Sequence, residues 1–583
     1  MKKILLSLLA LTTFVFANAQ IIVRGVSPAV IANNYDFTWA DPGGGDWACP
    51  DFNVANTFVE DTLMMVEDGT AGLNPQGNPI SQEGCNPLIN DLTGKIAVLY
   101  RNTCEFGSKA LNAQNAGALA VIIINRDPES IGMGGGADGT SVTIPVVMLS
   151  SDDGATLVNE MANGDVVAFL GNKLNLYAND GGTSKSDVMI SRYGSIPQDM
   201  ANNGYVFDLG VQFTNFGSAD NDFYAIASIE GPTGQVYYDS LAPLTLLSGD
   251  TLSVFNGNAN SFAVLTNGTW DIGRYTVAYT IGIIGANDDD TFDNHVSSDF
   301  YVTTEILSLA RQDIGTSTVA VNSFPINHTS SYQSCMVLQD VYPTASTGVE
   351  GIYFSPFNEG VSGNLDGIYL QGEVYEWDDA WTGVDGSWAN ITFDVLSAVA
   401  DFDWDGTAST VNGEVVYAPL NEAVQLVDNQ RYLVCLNSFA NDSIGFGYDS
   451  EPNYGANFSI YNQPIGALNI DGTTWYTGWT SADAVTLGLK IANDVNVIEL
   501  ETIGGTVYPN PADNEITISL DNGNGYANLS VHDITGRLVS SSRINTDNGL
   551  IKVDLNNLES GNYIFNLNFE DGKISKFKVV VAK

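Results

Sequence analysis

Groups able to do catalytic chemistry are few in this sequence. Its three histidines, His295, His328 and His532, stand apart from one another, so the HExxH spacing that puts two imidazoles on one helix face around zinc is absent. No G-x-S-x-G nucleophile elbow occurs. A catalytic pair of carboxylates needs no fixed spacing, and the 68 acidic residues leave a carboxylate-pair hydrolase open. We therefore expect a protein that is not an enzyme, with that one alternative.

Two acidic runs, at residues 287–294 and 401–406, offer the hard oxygen ligands that Ca²⁺ prefers. The second run mimics the start of a calcium loop, but Asn412 stands at the last ligand position, where a bidentate Glu is expected. Exposed turns are the commoner explanation of such runs, so we expect no required cofactor and keep Ca²⁺ as an alternative. The candidate ligands are Asp288, Asp290, Asp293, Asp401, Asp403 and Asp405.

The overall charge limits the choice of partners. The chain carries 68 acidic against 21 basic residues, a formal net charge of -47. Binding to nucleic acid depends on clustered Lys and Arg that neutralise phosphates. We therefore expect no nucleic-acid partner, and we interpret the acidity as a solvated surface that keeps the protein soluble.

Tryptophans concentrate in one part of the chain. Exposed indole faces can stack on the apolar faces of sugars, which makes this part a candidate carbohydrate-binding surface. Large aromatic side chains also fill the cores of β-sandwiches, and both explanations stay open. The six residues are Trp377, Trp381, Trp388, Trp404, Trp475 and Trp479.

Five cysteines are present, without the CxxC spacing typical of zinc sites. Disulfides persist outside the cytoplasm, and an odd number leaves one thiol over. We expect Cys85 to pair with Cys104 and Cys335 with Cys435, which leaves Cys49 as a structural thiol.

Continuous apolar runs at residues 95–100, 119–125 and 144–149 predict strands that are buried on both faces. Between the first two, Ser108 can cap a short Ala-rich helix that Gly117 ends. A strand, a helix and a strand in this order predict a parallel crossover. A second helix is predicted over residues 151–162.

These residues resemble the protease-associated (PA) domain, chiefly in residues 94–97, 101–106, 109–118 and 144–145. The family usually has Gly where Asn102 stands, and Asn is the best substitute in a left-handed turn. In relatives the domain lies beside peptidase or receptor domains and binds protein segments or controls access without catalysis. The resemblance therefore implies an interaction groove, unless its residues only build a disulfide-bonded turn. The implied groove residues are Arg101, Asn102, Thr103 and Phe106.

The middle of the chain has regularly spaced strand segments with turn residues between them, a pattern typical of β-sandwiches. Residues 187–304 resemble the bacterial adhesion-related, immunoglobulin-like domain that often serves as a spacer. Residues 311–495 form a further β-rich block that contains the six tryptophans.

The last eighty or so residues closely resemble the type A sorting domain of bacterial type IX secretion, a small β-sandwich. At the other end, Lys2 and Lys3, an apolar run over residues 4–16 and Ala17-Asn18-Ala19 are typical of a signal peptide. No later run is long and apolar enough for a transmembrane helix. The residues that carry the sorting resemblance are Tyr508, Pro509, Asn510, Pro511, Gly536, Gly561 and Tyr563.

Together these patterns predict a mainly β multidomain protein. We expect a signal peptide (1–19), an α/β PA domain with an N-terminal extension (20–185), an immunoglobulin-like sandwich (186–305), a Trp-rich, jelly-roll-like sandwich (306–497) and a C-terminal sorting sandwich (504–583).

The function that these modules predict is binding or adhesion. The protein would be secreted or held on the outer surface of a Gram-negative bacterium, after passage through the periplasm. Its partners would be the type IX secretion machinery and extracellular protein or peptide segments. The alternatives are an accessory protein that binds polysaccharide through the Trp-rich block, and a divergent part of an extracellular peptidase.

Overall fold

A computed structural model gives the fold. It describes the chain except for residues 1–20, 127–129, 259, 267–268, 325–331, 340, 345–346, 359–364, 366–367, 377–387, 390–394, 404–412, 429, 439–443, 462–464, 471–473, 477–482, 493–502, 522–525, 534–537, 547–548 and 570–572. The chain divides into a large compact unit, Met1–Ala345 with Val349–Ala492, and a small one, Asn493–Lys583 with Ser346–Gly348. The predicted signal peptide lies outside the described residues.

The first block, residues 21–172, is a seven-stranded mixed sheet in the order β1-β7-β3-β4-β5-β6-β2. Strands β3, β4, β5 and β6 run parallel to one another, as the predicted crossover requires, whereas β7 and β2 pair antiparallel with β3 and β6. The elements are β1 (Ile21–Ser27), β2 (Phe37–Trp39), β3 (Phe58–Met65), β4 (Ile96–Tyr100), α1 (Phe106–Asn115), β5 (Ala120–Ile124), β6 (Val146–Leu149), α2 (Ser151–Met161) and β7 (Val167–Asn172).

Both faces of this sheet are covered, because β4 and β5 contribute alternate residues to two separate hydrophobic clusters. Val98 and Ile122 belong to one cluster, and Ala97 and Val121 belong to the other. Helix α1 begins at Phe106 with Glu105 at its N-cap, so the prediction that Ser108 caps it is wrong. The Ser108 hydroxyl instead donates to Asp138 Oδ2 at 2.6 Å.

The second block, residues 181–303, is a β-sandwich of long strands with alternating burial. In β11, for example, Phe223, Ala225, Ala227 and Ile229 are buried and the residues between them are not. This period of two is what one covered face requires. Its elements are β8 (Gly181–Gly182), β9 (Ser195–Pro197), α3 (Gln198–Asn202), β10 (Val211–Asn215), β11 (Asn221–Gly231), β12 (Gly234–Leu246), β13 (Thr251–Val254), β14 (Gly273–Ile283) and β15 (His295–Thr303).

The third block, residues 306–492, contains a seven-stranded sheet in the order β23-β30-β29-β19-β26-β22-β24. Its elements are β16 (Ile306–Ser308), β17 (Gln312–Asp313), β18 (Thr318–Val319), β19 (Tyr332–Leu338), β20 (Gly348–Phe354), β21 (Pro356–Asn358), β22 (Tyr369–Glu376), β23 (Trp388–Ala389), β24 (Val395–Asp403), β25 (Val416–Gln425), β26 (Tyr432–Ser438), β27 (Ile444–Phe446), β28 (Tyr448–Asp449), α4 (Gly455–Tyr461), β29 (Gly466–Ile470), β30 (Thr474–Tyr476), β31 (Ala484–Val485) and β32 (Leu487–Ala492).

A nine-stranded sheet joins the second and third blocks, in the order β12-β11-β14-β15-β9-β16-β32-β20-β25. The connection depends on β9, which pairs in parallel with β15 and bridges to β16 at Ser308. The two blocks also share one hydrophobic core, to which Phe300 and Leu489 both belong. Packing is therefore continuous across the boundary between residues 305 and 306.

The small C-terminal unit is a β-sandwich of a three-stranded sheet, β33-β34-β37, and a four-stranded sheet, β36-β35-β38-β39. Ile516, Leu529 and Phe565 belong to its core. The predicted mainly β fold is therefore confirmed. The strands are β33 (Gly505–Tyr508), β34 (Glu515–Leu520), β35 (Tyr526–Asp533), β36 (Leu538–Asn545), β37 (Leu550–Asp554), β38 (Gly561–Phe569) and β39 (Ile574–Val581).

The helices in the described parts of the chain are too short and too polar to span a bilayer.

Candidate functional site

The residues predicted to line a groove, residues 101–106, come directly after strand β4 in the first block. We call this edge of the block the rim. A disulfide joins Cys85 and Cys104, as the sequence predicted. Beneath it the Glu83 side chain is fully buried. The Thr103 hydroxyl and amide donate to Glu83 Oε2 at 2.8 and 3.2 Å, and Asn74 Nδ2 donates to Glu83 Oε1 at 3.2 Å. The turn is therefore fixed on one face by a buried carboxylate.

Lys109 of helix α1 completes this support. Its ammonium donates to the carbonyl oxygens of Glu83 at 2.8 Å and Tyr100 at 3.1 Å, and it lies 4.0 Å from Glu83 Oε2. Burial alone would raise the pKa of Glu83, but the hydrogen bonds and the Lys109 charge lower it. Burial lowers the pKa of Lys109 to about 8, although the negative charges of Glu83 and Asp68 act to raise it. The sequence-based groove did not include Glu83, because no local pattern marks it.

The structure brings Arg101 and Phe106 together at this rim. The Arg101 guanidinium donates to Asn125 Oδ1 at 2.7 Å and lies 5.8 Å from the centre of the Phe106 ring. Both side chains are half-buried, as is Asn102, whereas Thr103 is exposed. The prediction that Asn102 occupies a left-handed turn position is wrong, because Asn102 is not among the described residues with positive φ.

A glycine-rich segment, residues 132–139, packs against the start of helix α1. Gly107 faces it so closely that a Cβ there would lie 2.0 Å from the Gly135 carbonyl oxygen. Gly135 is in turn held by Asp46, whose Oδ2 accepts its amide at 2.7 Å. Glu105 Oε2 accepts the amide of Ala137 at 3.0 Å. The rim is thus backed by fixed backbone on the helix side.

A buried charge cluster involves part of the first predicted calcium run. Lys173 Nζ lies 3.0 Å from Asp180, 3.2 Å from Asp290 and 2.6 Å from Asp293, and all four side chains are at most 9% exposed. Arg24 Nη1 adds a contact of 2.9 Å to Asp290. Asp288 accepts the amides of Asp290 and Gly181. We call Arg24, Lys173, Asp180, Asp290 and Asp293 the charge cluster.

The electrostatics of the charge cluster fit internal neutralisation. Three carboxylates against two basic groups leave one net negative charge when all are ionised. Burial raises the pKa of Asp180 to about 7 despite the opposing charge of Lys173, and it raises the pKa of Asp293. For Asp290, burial alone would raise the pKa, but Lys173 and Arg24 lower it. Burial alone would lower the pKa of Lys173, but Asp293, Asp180 and Asp290 raise it.

The Asp triad of this cluster, Asp180, Asp290 and Asp293, is the one grouping in the described chain whose carboxylate oxygens lie close enough to share a metal ion. The Lys173 ammonium already occupies the space among them. Calcium at Asp288, Asp290 and Asp293 stays a prediction. The sequence analysis missed Arg24, Lys173 and Asp180, for which no local signal exists.

The second predicted calcium run has a different backbone from the one predicted. Asp401 and Asp403 lie in strand β24, opposite Gln371 and Tyr369 of β22. The prediction of a calcium loop that begins at these residues is therefore wrong. Asp405 lies outside the described residues.

The Trp-rich block is described in part. Trp475 of β30 is 4% exposed and stands opposite Trp388 of β23 and Asn469 of β29. The burial of Trp475 fits the core explanation for this one residue. Trp377, Trp381, Trp404 and Trp479 lie outside the described residues. The predicted disulfide between Cys335 and Cys435 is present, and Cys49 is a buried free thiol whose pKa burial raises to about 12.

Two of the three histidines are among the described residues, one in each unit. His295 begins β15 and its Nδ1 lies 3.0 Å from Thr280 Oγ1. His532 lies on β35 of the small unit, where Asn566 Nδ2 is 3.3 Å from its Nδ1. His328 is outside the described residues.

The predicted sorting residues lie at strand ends of the small unit. Asn510 Nδ2 donates to the Lys578 carbonyl oxygen, and Asn510 Oδ1 accepts the Val580 amide, each at 2.7 Å. Its side chain therefore hydrogen-bonds to edge strand β39 as a backbone would. Tyr508 ends β33 and is half exposed, and cis peptide bonds precede Pro509 and Pro511. Gly561 and Tyr563 lie at the start of β38, and Gly536 is outside the described residues.

Two family profiles match the chain, the PA domain over residues 50–157 and the secretion system C-terminal sorting domain over residues 506–582. Signal peptide peptidase-like 2 of Arabidopsis thaliana is 40% identical over 89 residues, 15% of this chain and 16% of the relative. Aminopeptidase YwaD of Bacillus subtilis is 34% identical over 105 residues, 17% of this chain and 23% of the relative. The chain thus spans less than a quarter of the length of either relative.

Among solved structures, an aminopeptidase from Aneurinibacillus sp. strain AM-1 is similar over 26% of this chain and 30% of its own, with 19% identity and a TM-score of 0.19. The two profile matches coincide with the first block and with the small unit. The chain therefore contains a PA domain and a C-terminal secretion sorting domain, and it is a mainly β protein that is secreted or placed on the outer cell surface.

Proposed function

We propose that this protein is a binding or adhesion protein outside the cell, whose PA domain engages extended protein or peptide segments. The β-sandwiches extend and present that domain. The observation that carries this proposal is the fixed rim at Arg101, Thr103 and Phe106. It offers a guanidinium, a hydroxyl and an aromatic ring on a turn held by a disulfide and the buried Glu83.

Such a rim suits peptide recognition for physical reasons. Groups that are already ordered lose little conformational entropy on binding. The Arg101 guanidinium is of the chemical type that donates to peptide carbonyls or carboxylates, and the Phe106 ring adds an apolar contact.

The test is a peptide-array screen with the purified chain, followed by titration of the best peptide. We expect Arg101→Ala and Phe106→Ala each to weaken binding about tenfold, as the loss of an interface contact of about 1.4 kcal/mol does. Arg274→Ala is the matched control, because this guanidinium is exposed in the second block. Equal affinity in all variants would exclude the rim as the binding surface.

We further propose that the protein is not an enzyme and needs no cofactor. Support comes from the sequence, which lacks the zinc and serine hydrolase motifs. The peptidases to which it is similar match it over the PA region. A divergent peptidase part is the competing proposal. Hydrolysis of peptide substrates by the purified chain, abolished by a single substitution, would establish the competitor.

A second candidate function is carbohydrate binding by the third block. The observation that favours it is the concentration of tryptophans in this block, two of which, Trp388 and Trp475, occupy directly opposed positions on neighbouring strands. A glycan array with the purified chain tests this, and the absence of binding to every glycan would end it.

For export, we propose delivery across the outer membrane of a Gram-negative bacterium by type IX secretion after passage through the periplasm. The sorting-domain match at residues 506–582 supports this route. Deleting residues 505–583 should leave the protein inside the cell, and normal delivery of the truncated chain would contradict the route.

A further inference from the structure

A row of amide side chains crosses the seven-stranded sheet of the third block. The register sets Asn469 of β29 opposite Gln333 of β19, Gln333 opposite Asn437 of β26, and Asn437 opposite Gln371 of β22. Directly opposed residues of paired strands share one face of a sheet. At a strand spacing of about 4.8 Å, these four residues span roughly 14 Å. We call them the amide row, and Trp475 stands opposite its Asn469 end.

The amide row lies on the face of the sheet that is turned away from the main core. Residues on the same strands whose side chains point to the opposite face, such as Met336, Leu436 and Leu468, belong to that core. The amide row is nevertheless enclosed: Gln371 is 1% exposed, Asn437 3% and Asn469 6%, and only Gln333 of the four is partly exposed. Three buried amides are costly unless each polar atom has a partner.

Glu373 fixes the orientation of two of these amides. Its buried Oε2 accepts hydrogen bonds from Gln333 Nε2 at 3.2 Å and Tyr375 OH at 2.6 Å, and also from Asn437 Nδ2. With its amide nitrogen held by Glu373, Asn437 must direct its oxygen elsewhere. The Cys335–Cys435 disulfide joins the two central strands beside this network, which limits their movement.

Two acceptors of the amide row lack a donor. Asn437 Oδ1 and Asn469 Oδ1 are both buried and have no hydrogen-bond partner in the described structure. These residues lie on either side of Gln333, the partly exposed member. An unsatisfied buried acceptor destabilises the folded state, so a ligand that brings hydroxyl or amide donors to these positions would remove that penalty.

We propose that the amide row binds a neutral, hydroxyl-rich ligand, an uncharged oligosaccharide segment. Primary amides pair well with sugar hydroxyls because each amide both donates and accepts. The indole of Trp475 provides an apolar wall at one end. Anionic sugars are disfavoured, because the residues described at the site include the Glu373 carboxylate and no basic side chain, and the chain carries a formal net charge of -47. This site rests on the carbohydrate-binding candidate described above.

Asn469→Ala separates binding from folding. Because Asn469 Oδ1 has no partner, its removal should leave the melting temperature unchanged or slightly raised, whereas loss of a ligand contact should weaken binding at least tenfold. Asn421→Ala is the matched control, since Asn421 is an exposed amide on β25 of the same block. Binding of neutral oligosaccharides and of matched uronic-acid oligosaccharides to the full chain is measured by calorimetry.

Neutral oligosaccharide binding that Asn469→Ala weakens and Asn421→Ala preserves would support the proposal. Binding that survives Asn469→Ala would overturn the amide row as the site while the carbohydrate-binding function stands. A preference for the uronic-acid series would overturn the ligand class. No binding by the folded wild-type chain would overturn both the site and the function. If Asn469→Ala fails to fold, the quenching of intrinsic tryptophan fluorescence of the wild-type chain by each series decides the ligand class.

Discussion

The Lys173 ammonium lies 2.6 Å from Asp293 Oδ2, and these side chains are 0% and 9% exposed. Lys173 directly follows β7 of the first block, whereas Asp293 precedes β15 of the second. Arg24 of β1 also contacts Asp290 of the second block. The charge cluster therefore joins the PA domain to the neighbouring sandwich through buried ion pairs.

Replacing Lys173 should strongly destabilise this part of the protein. Removing one partner of a buried ion pair typically costs about 3–5 kcal/mol, because the remaining charges have no compensation. We expect Lys173→Met to lower the free energy of unfolding by that amount in urea titrations. Arg274→Met, which breaks an exposed pair with Asp299, should cost at most about 1 kcal/mol. Similar losses in both variants would show that burial of the charge cluster is unimportant.

Stability should depend on pH through Asp180. Burial raises its folded pKa to about 7, whereas an unfolded Asp titrates near about 3.9. A raised folded pKa gives a stabilising term that is complete below the unfolded pKa and lost as the pH rises through the folded value. We therefore expect the free energy of unfolding to fall between about pH 4 and pH 7, by on the order of 3 kcal/mol.

The groups that face Asp180 in the charge cluster are Lys173, Asp290, Asp293 and Arg24. Asp290, whose pKa is lowered, acts with the opposite sign and loses its contribution only at more acidic pH. Urea titrations at several pH values give the free energy of unfolding as a function of pH. This free energy should change less with pH for Asp180→Asn than for the wild-type chain. The same pH dependence of the free energy of unfolding in both chains would assign it to other groups.

The two disulfides should contribute unequally to stability. In the chain-entropy account a longer closed loop gives more stabilisation, and the sequence separations are 19 for Cys85–Cys104 and 100 for Cys335–Cys435. We expect the double alanine variants to lose about 3 and about 5 kcal/mol respectively. Denaturant titrations of both variants test the order, and a larger loss for the shorter loop would contradict it.

Asn510 should protect the edge of the sorting domain. Asn510→Ala removes both side-chain hydrogen bonds to β39, and we expect a loss of about 1 kcal/mol because the site is exposed. Hydrogen exchange of the Val580 amide should become faster. Asn514→Ala, at an exposed position on the same connection, should leave that exchange unchanged. Equal protection of Val580 in both variants would refute this role.

Local sequence patterns predicted the PA domain well. The apolar runs became β4, β5 and β6, and the Ala-rich segment became α1, because strands buried on both faces and short helices leave strong local signatures. The cap of α1 was predicted wrongly at Ser108, since helix ends depend on contacts such as that of Ser108 with Asp138. The pairing of Cys85 with Cys104 was predicted correctly.

The sequence by itself determined the modules at the two ends of the described chain, the β-rich composition between them and the cysteines that pair. Only the tertiary structure decided the charge cluster, in which Arg24 meets a residue 266 positions away, and the amide row, whose members lie on four strands. Patterns in a sequence report local periodicity. Which distant side chains meet depends on strand order and register, and these are set by the packing of whole sheets.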